Sequence, residues 1–219
     1  MKKVLVYGLG ITGISTVKTL DKLGYEVFTF DKNKNTDERL EGYNYSPISD
    51  IKIEEKYDFV VKSPGIRPDD DIIKILAKNN EIITDIELSY RLFKDKKNIA
   101  ITGTNGKTTT TSLISHILNQ SGNKAIGVGN IGEGILWQMY KNDEIFVEEI
   151  SSFQLHNTKF FKPHIAGILN ITPDHIDWHG SFENYIEDKL KIAINQDDKD
   201  YLVINHDDEI LMKNKNKFK

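Results

Sequence analysis

The chain has 219 residues, 38% hydrophobic and 28% charged, the composition of an ordinary globular protein with length enough for two domains. A formal net charge of −4 at pH 7 argues against nucleic acid as the main partner, and no apolar run approaches the ~20 residues of a membrane helix. The absence of cysteine excludes disulfides and thiolate metal sites and fits a reducing cytoplasm.

The opening MKKVLVYGLG has the lysines of a signal peptide, but glycines interrupt its apolar run at once and no small-residue cleavage site follows, so it reads as a first strand. The strand is predicted over Lys3 to Tyr7, a helix over Gly13 to Leu23 and a second strand over Glu26 to Phe30. A third strand, Tyr57 to Val61, ends in the turn Ser63-Pro64-Gly65; a helix over Asp70 to Lys78 and a short strand at Ile82-Ile83 follow. The charged run Lys94 to Asn98 is the best linker. A second series starts at Ile99, with a helix from Lys107 to Gln120 and strands near Lys124 to Val128, Ile145 to Ile150 and Ile165 to Leu169. A helix near Phe182 to Asn195, a strand at Tyr201 to Asn205 and a polar basic tail without a closing element complete the chain. Strands alternating with helices predict an α/β fold with largely parallel sheets.

Two glycine-rich turns carry the chemistry. Gly8-x-Gly10-x-x-Gly13 follows the first strand and opens a helix, and Asp31 ends the next strand, the spacing of a dinucleotide fold. Glycine lets backbone approach a diphosphate and the helix N-terminus supplies amide donors. Gly103-Thr104-Asn105-Gly106-Lys107-Thr108 also joins a strand to a helix. It is shorter than a Walker A loop, with Ile101 where that loop has its first glycine, but Lys107 offers an ammonium to terminal phosphates and Thr108 a hydroxyl to Mg²⁺. A dehydrogenase needs only the first turn and a simple ATPase only the second.

Glu148 and Glu149 end a strand side by side, and alternation sends one of them toward the phosphate turn as a candidate Mg²⁺ ligand. Asp174, His175, Asp177 and His179 cluster after the strand at Ile165. In the helix from Phe182, residues Phe182, Tyr185, Ile186, Leu190 and Ala193 form one stripe at about 100° per residue, with Lys189 in its middle and Lys191 pointing the opposite way. A lysine on a buried face snorkels, finds an anion or loses its charge.

The order GLGITGIS, SPGI, GTNGKTTT, GNIG, ISSFQL, NITPDHIDWHG and DKLKIA resembles the Mur ligases of bacterial cell-wall synthesis. Glu149-x-Ser-Ser-Phe-Gln154 favours the member that adds D-glutamate to UDP-N-acetylmuramoyl-L-alanine. The resemblance implies a Rossmann-like UDP-substrate domain over residues 1–93 and a P-loop-type ATP domain over 94–219, incomplete at its end. It implies an acyl-phosphate mechanism with ATP held by Gly103, Thr104, Asn105, Gly106, Lys107, Thr108 and Thr109. Two Mg²⁺ ions would be served by Thr108 with Glu149 and by His175 with a carbamylated Lys189. The substrate would meet Gly10, Ile11, Thr12, Asp31, Ser63 and Gly65 in the first domain, and Asn130, Ser151, Gln154 and Asp174 along a channel to the metals. Family members are longer, monomeric and cytoplasmic, with a further domain for D-glutamate, so this chain is expected to be a fragment without turnover of its own. The rival readings are a nucleotide-linked dehydrogenase, a sibling ligase adding another amino acid, a folate-type ligase and a non-catalytic nucleotide-binding module.

Overall fold

The computed structural model describes residues 1–33, 36–51, 54–130 and 133–218; Ile131 and Gly132 of the GNIG stretch, and Lys219 of the tail, lie outside the described residues. Two five-stranded parallel sheets follow one another along the chain. The first has β1 (Lys3–Tyr7), β2 (Glu26–Phe30), β3 (Ser46–Pro47), β4 (Phe59–Lys62) and β5 (Ile82–Ile83) in the order β3-β2-β1-β4-β5. Its helices are α1 (Ile11–Lys22), α2 (Asp71–Leu76) and α3 (Asp85–Leu92). The second has β6 (Asn98–Thr102), β7 (Ala125–Gly129), β8 (Ile145–Glu149), β9 (Ile165–Ile168) and β10 (Tyr201–Ile204) in the order β10-β9-β6-β8-β7. With it go α4 (Lys107–Gln120), α5 (Ile135–Lys141), α6 (Ser152–Leu155), α7 (Ile176–His179), α8 (Phe182–Leu190) and α9 (Glu209–Asn214).

In each sheet the strand that feeds a glycine turn is central, and the order reverses beside it: β1 between β2 and β4, β6 between β8 and β9. That reversal opens a crevice beyond the C-terminal strand ends, where α/β folds bind ligands. Both turns sit there. Strand alternation divides β1 between two cores, Val4 and Val6 facing one and Leu5 and Tyr7 the other. The larger core runs on into the second sheet through Ala100, Val128 and Phe146, so the two sheets share apolar contacts.

Polar contacts lock that junction. Glu87 in α3 is fully buried, and its Oε2 accepts the backbone N–H groups of Lys159, Phe160 and Phe161 at 2.9, 3.0 and 3.0 Å. Its Oε1 accepts from Arg91 Nε at 2.8 Å. Thr84 Oγ1 donates to Gln154 O at 2.6 Å, and Trp137 N donates to Ser15 Oγ at 2.9 Å. A Cβ at Gly134 would stand 2.4 Å from Ser15 Cβ, so only glycine lets α1 and α5 approach this closely.

The elements over Lys3–Tyr7, Glu26–Phe30, Ile82–Ile83 and Lys107–Gln120 have the bounds expected from sequence. The helix expected to reach Asn195 instead ends at Leu190. Unwinding buries Ile192 and Ala193 and frees amides for the neighbouring loop: Asn195 Nδ2 donates to Lys159 O and Phe161 O, and Gln196 Nε2 to Pro163 O. The tail carries α9 where no closing element was expected, because Asp208 caps it by accepting from Ile210 N and Leu211 N, each at 3.0 Å.

Removing Glu87 leaves the buried N–H of Phe161, the part-buried N–H groups of Lys159 and Phe160, and Arg91 short of an acceptor. Glu87→Ala is expected to destabilise the chain by about 3 kcal/mol or more in urea titration. A loss of under ~1 kcal/mol would show that water replaces the carboxylate.

Candidate active site

The turn from β6 to α4 is built around one backbone oxygen. Gly106 caps α4 at φ 84°, a left-handed conformation that glycine adopts without strain. Asn170, just past β9, clamps the loop by accepting from Asn105 N at 2.9 Å and donating to Asn105 O at 3.0 Å. Thr104 Oγ1 meets Tyr185 OH at 2.9 Å and accepts from Thr172 N at 3.0 Å. Lys107 folds back and donates to Gly103 O at 2.9 Å and Thr104 O at 3.0 Å. From α8, Lys189 donates to the same Gly103 O at 2.8 Å. Thr108 and Thr109 are exposed on the first turn of α4.

Two ammonium groups thus converge on one carbonyl. Lys189 is 1% exposed, and its ammonium lies 4.7 Å from the Tyr185 ring centroid. Burial first, and the Lys107 ammonium second, push its pKa down from 10.5 to about 7 against the pull of Asp174. The lysine on the apolar stripe therefore neither snorkels nor pairs with a carboxylate; it gives up part of its charge. Lys191 turns away, donating to Asp188 Oδ1 and His156 O, each at 2.7 Å.

The paired glutamates have different surroundings. Glu148 is pushed up to about 8 by burial, and its Oε1 accepts from Asn98 Nδ2 at 3.1 Å. Glu149, at the end of β8, accepts from Asn130 Nδ2 at 3.1 Å through Oε1, while its buried Oε2 has no hydrogen-bond partner among the described residues. A buried carboxylate oxygen beside a phosphate turn suits a cation ligand. Asn130 N also donates to Glu149 O at 3.0 Å, holding the β7 and β8 ends together.

His175 precedes α7 at φ 51° and is exposed; its Nε2 lies 3.5 Å from Asp174 Oδ2 and its ring 4.8 Å from that of Phe153. The structure brings Lys107, Lys189 and the loop of Gly103 to Gly106 into direct contact, with Asp174 close enough to act on Lys189. No hydrogen bond among the described residues joins Lys107 to Glu149 or His175, since the ammonium satisfies itself on backbone carbonyls. Ser151 and Gln154 are committed to a capping box on α6, and Gln154 Nε2 also donates to the Asp85 carboxylate at 3.1 Å.

The first glycine turn borders a cleft of about 430 Å³ lined by Gly10, Asp31, Ser63, Gly65, Arg67 and Asp70 among others. A Cβ at Gly13 would stand 1.8 Å from Gly8 O, so the tight turn requires glycine there. Asp31 pins the turn, accepting from Leu9 N at 2.6 Å and Asn33 N at 2.8 Å. Ser63 Oγ donates to Gly8 O at 3.0 Å. Ile11 and Thr12 follow on the first turn of α1, Ile11 exposed to solvent.

Sequence reasoning missed Asn170, Tyr185, Lys62 and Arg67. Asn170 had a visible signal, an amide at a strand end level with the glycine turn; Tyr185 read only as part of an apolar stripe. Lys62 is fully buried, donates to Ile66 O at 2.9 Å and sits 5.3 Å from the Trp178 ring centroid. Arg67 reaches the other sheet's loops, donating to Asp177 O at 2.7 Å.

Residues 101–219, more than half of the chain, match the family described as the Mur ligase middle domain. The chain belongs to the Mur ligase family. Among its curated relatives are proteins named UDP-N-acetylmuramoylalanine–D-glutamate ligase. One from Thermoanaerobacter sp. (strain X514) is 42% identical over 100% of this chain and 50% of its own length. Another, from Clostridioides difficile (strain 630), is 40% identical over 96% of this chain and 49% of its own. The chain spans about half the length of the curated relatives it matches. Solved Mur-family structures share the fold. The UDP-N-acetylmuramate:L-alanyl-γ-D-glutamyl-meso-diaminopimelate ligase from Neisseria meningitides has TM-score 0.67 at 18% identity, over 99% of this chain and 75% of that one. The UDP-N-acetylmuramate–alanine ligase from Thermotoga maritima has TM-score 0.54 at 22% identity, over 96% and 50%. At these identities the likeness is one of fold.

The folded value of Lys189, near 7, lies below the 10.5 of a free lysine, so between those pH values the folded chain binds fewer protons than the unfolded one. Stability from this group therefore rises with pH across that window. A ¹³C NMR titration of labelled lysine should find one ε-carbon with a midpoint near 7, moving upward in Lys107→Met. A midpoint that stays near 10.5 would contradict the shared-carbonyl geometry.

Proposed function

We propose that this chain carries the nucleotide-sugar and ATP sites of an ADP-forming amide ligase, one that adds D-glutamate to UDP-N-acetylmuramoyl-L-alanine in peptidoglycan synthesis. The observation that carries this reading is the pair of glycine turns at two strand-order reversals, the second with Lys107 and Lys189 on the Gly103 carbonyl. The D-glutamate-adding names of relatives at 40–43% identity supply the acceptor. We divide the chain at 93/94, between α3 and β6, into a UDP-substrate unit and an ATP unit. The working protein is placed in the cytoplasm as a monomer.

In this reading the first cleft takes the UDP moiety, with Gly10, Ile11 and Thr12 at the diphosphate and Asp31, Ser63 and Gly65 around the uridine. Gly103 to Thr109 hold ATP, and Lys107 leaves its two carbonyl acceptors for the terminal phosphate. The substrate carboxylate attacks the γ-phosphorus, forming a C–O–P linkage and releasing ADP. The amine of D-glutamate then attacks the acyl carbon; the C–O bond breaks, inorganic phosphate leaves and the new amide nitrogen loses a proton. Asn130, Ser151, Gln154 and Asp174 border the path between the two sites.

Thr108 and Glu149 fit one Mg²⁺, Glu149 offering a buried Oε2 with no partner among the described residues, as Glu148 does one position earlier, and His175 with a carbamylated Lys189 would serve a second. Bound there, the ions neutralise charge on the transferring phosphoryl group. A lysine near pKa 7 has the neutral amine that carbamylation requires: nitrogen bonds to CO₂ and loses one proton, leaving an anion where an ammonium stood.

ADP release dependent on both D-glutamate and UDP-N-acetylmuramoyl-L-alanine, assayed in the protein at its relatives' length, tests the function. Lys107→Ala should lower kcat at least about 100-fold. Lys189→Ala should abolish turnover and regain part of it with formate. ADP release driven by another amino acid would indicate a sibling ligase, and none at all a binding module. Unchanged activity in Lys189→Ala without rescue would remove its metal role.

A further inference from the structure

Behind the phosphate turn, three short elements place nitrogen and oxygen ligands around one point. His156 follows α6, His179 ends α7 and Asp188 lies in α8. Asp188 Oδ2 lies 2.7 Å from His156 Nδ1 and 2.8 Å from His179 Nδ1, and each of the three residues offers a ligand atom within 4.8 Å of the others. We propose that His156 Nδ1, His179 Nδ1 and Asp188 Oδ2 form a binding site for a transition-metal dication of the zinc class, separate from the residues assigned to Mg²⁺.

The donor set fits that class. Two imidazoles and one carboxylate suit zinc with a fourth position left to solvent, whereas Mg²⁺ prefers oxygen ligands alone. Ligands about 2.1 Å from a tetrahedral ion stand ~3.4 Å apart, so the observed contacts need to open by only about 0.6 Å. His179 and Asp188 are buried, while the His156 side chain is 31% exposed and gives the ion its way in.

Outer contacts already orient each ligand. His179 Nε2 lies 3.0 Å from Ser152 Oγ, a hydroxyl that can donate or accept and so serves either ring tautomer. Asp188 Oδ1 accepts from Lys191 Nζ at 2.7 Å, leaving Oδ2 to the ion. Such partners fix ligand direction in metal sites. Burial also holds His179 below its ordinary pKa, against the pull of Asp188, a direction that favours the neutral ring a metal requires. The nearby Lys191 ammonium opposes a second positive charge, which makes the site weaker than a structural zinc centre and open to chelators.

A filled site would tie together α6, α7 and α8, whose neighbouring residues include Ser151, His175 and Lys189. It would brace the candidate active site from behind, without contact with ATP or the UDP substrate.

Titration of the chain with ZnCl₂ alone, followed by calorimetry, is expected to show one saturable site that excess Mg²⁺ does not displace and EDTA empties. Co²⁺ in its place should give the intense visible absorption of tetrahedral coordination. His156→Gln, at a partly exposed position and with circular dichroism reporting its fold, should weaken binding at least about tenfold, while His164→Gln, at an exposed histidine paired with Asp200, should not. Asp188→Asn is a second variant, with circular dichroism reporting whether it folds. No saturable binding, equal affinity in His156→Gln, or an equal loss in His164→Gln would overturn the site.

Discussion

Two lysines sharing one backbone oxygen is the constraint from which the rest of the site follows. Gly103 O accepts from Lys107 and from Lys189, and like charges that close in a buried setting cannot both stay fully ionised. The buried end of the pair, Lys189, loses part of its charge, while Lys107 lies nearer the surface at the start of α4. A Cβ at Gly103 would lie 3.0 Å from Leu169 Cβ, so a larger residue there would press on the end of β9. The loop is thus set by β6 beneath it, Asn170 of the β9 end beside it, and α8 behind it. Each holds the carbonyl where two cations can reach it.

The two glycine turns also depend on how their sheets meet. Glu87 takes three backbone amides from the 159–161 segment, and Gln154 bridges α6 to Asp85 at the start of α3. Lys62, pushed down to about 8 by burial, stands over Trp178 while its ammonium closes the 63–66 turn that borders the first cleft. Arg67, one residue further, donates to Asp177 in α7. Residues 62–67 therefore touch both the first cleft and α7, which follows Asp174 and His175.

Much of this was legible in the sequence because it is local. KVLVY, EVFTF and the GTNGKTTT turn declare a strand or a strand-to-helix junction within a few residues, and their bounds are those observed. The anomaly of Lys189 was also readable, since a charge in the middle of an apolar stripe stands out at helical period. What was not legible is pairing across distance. The bond from the Gln154 amide to Asp85, far away in sequence, has no signature in either segment alone. Lys62 lies just past the strand expected over Tyr57 to Val61, and only the fold brings Trp178 against it. Short helices such as α6 and α7, four residues each, are held by caps and neighbours, and carry too little periodicity to be seen in sequence.

The proposed function requires two nucleotide sites that differ in what they hold. Calorimetric titration of the chain with UDP-N-acetylmuramoyl-L-alanine, Mg-ATP and NADH, repeated in Lys107→Ala and Asp31→Ala, tests it most directly. Binding of the first two ligands and not the third, with ATP lost only in Lys107→Ala and the UDP compound weakened only in Asp31→Ala, is the predicted result. Tight NADH binding with no response to the UDP compound, or ATP binding indifferent to residue 107, would contradict it.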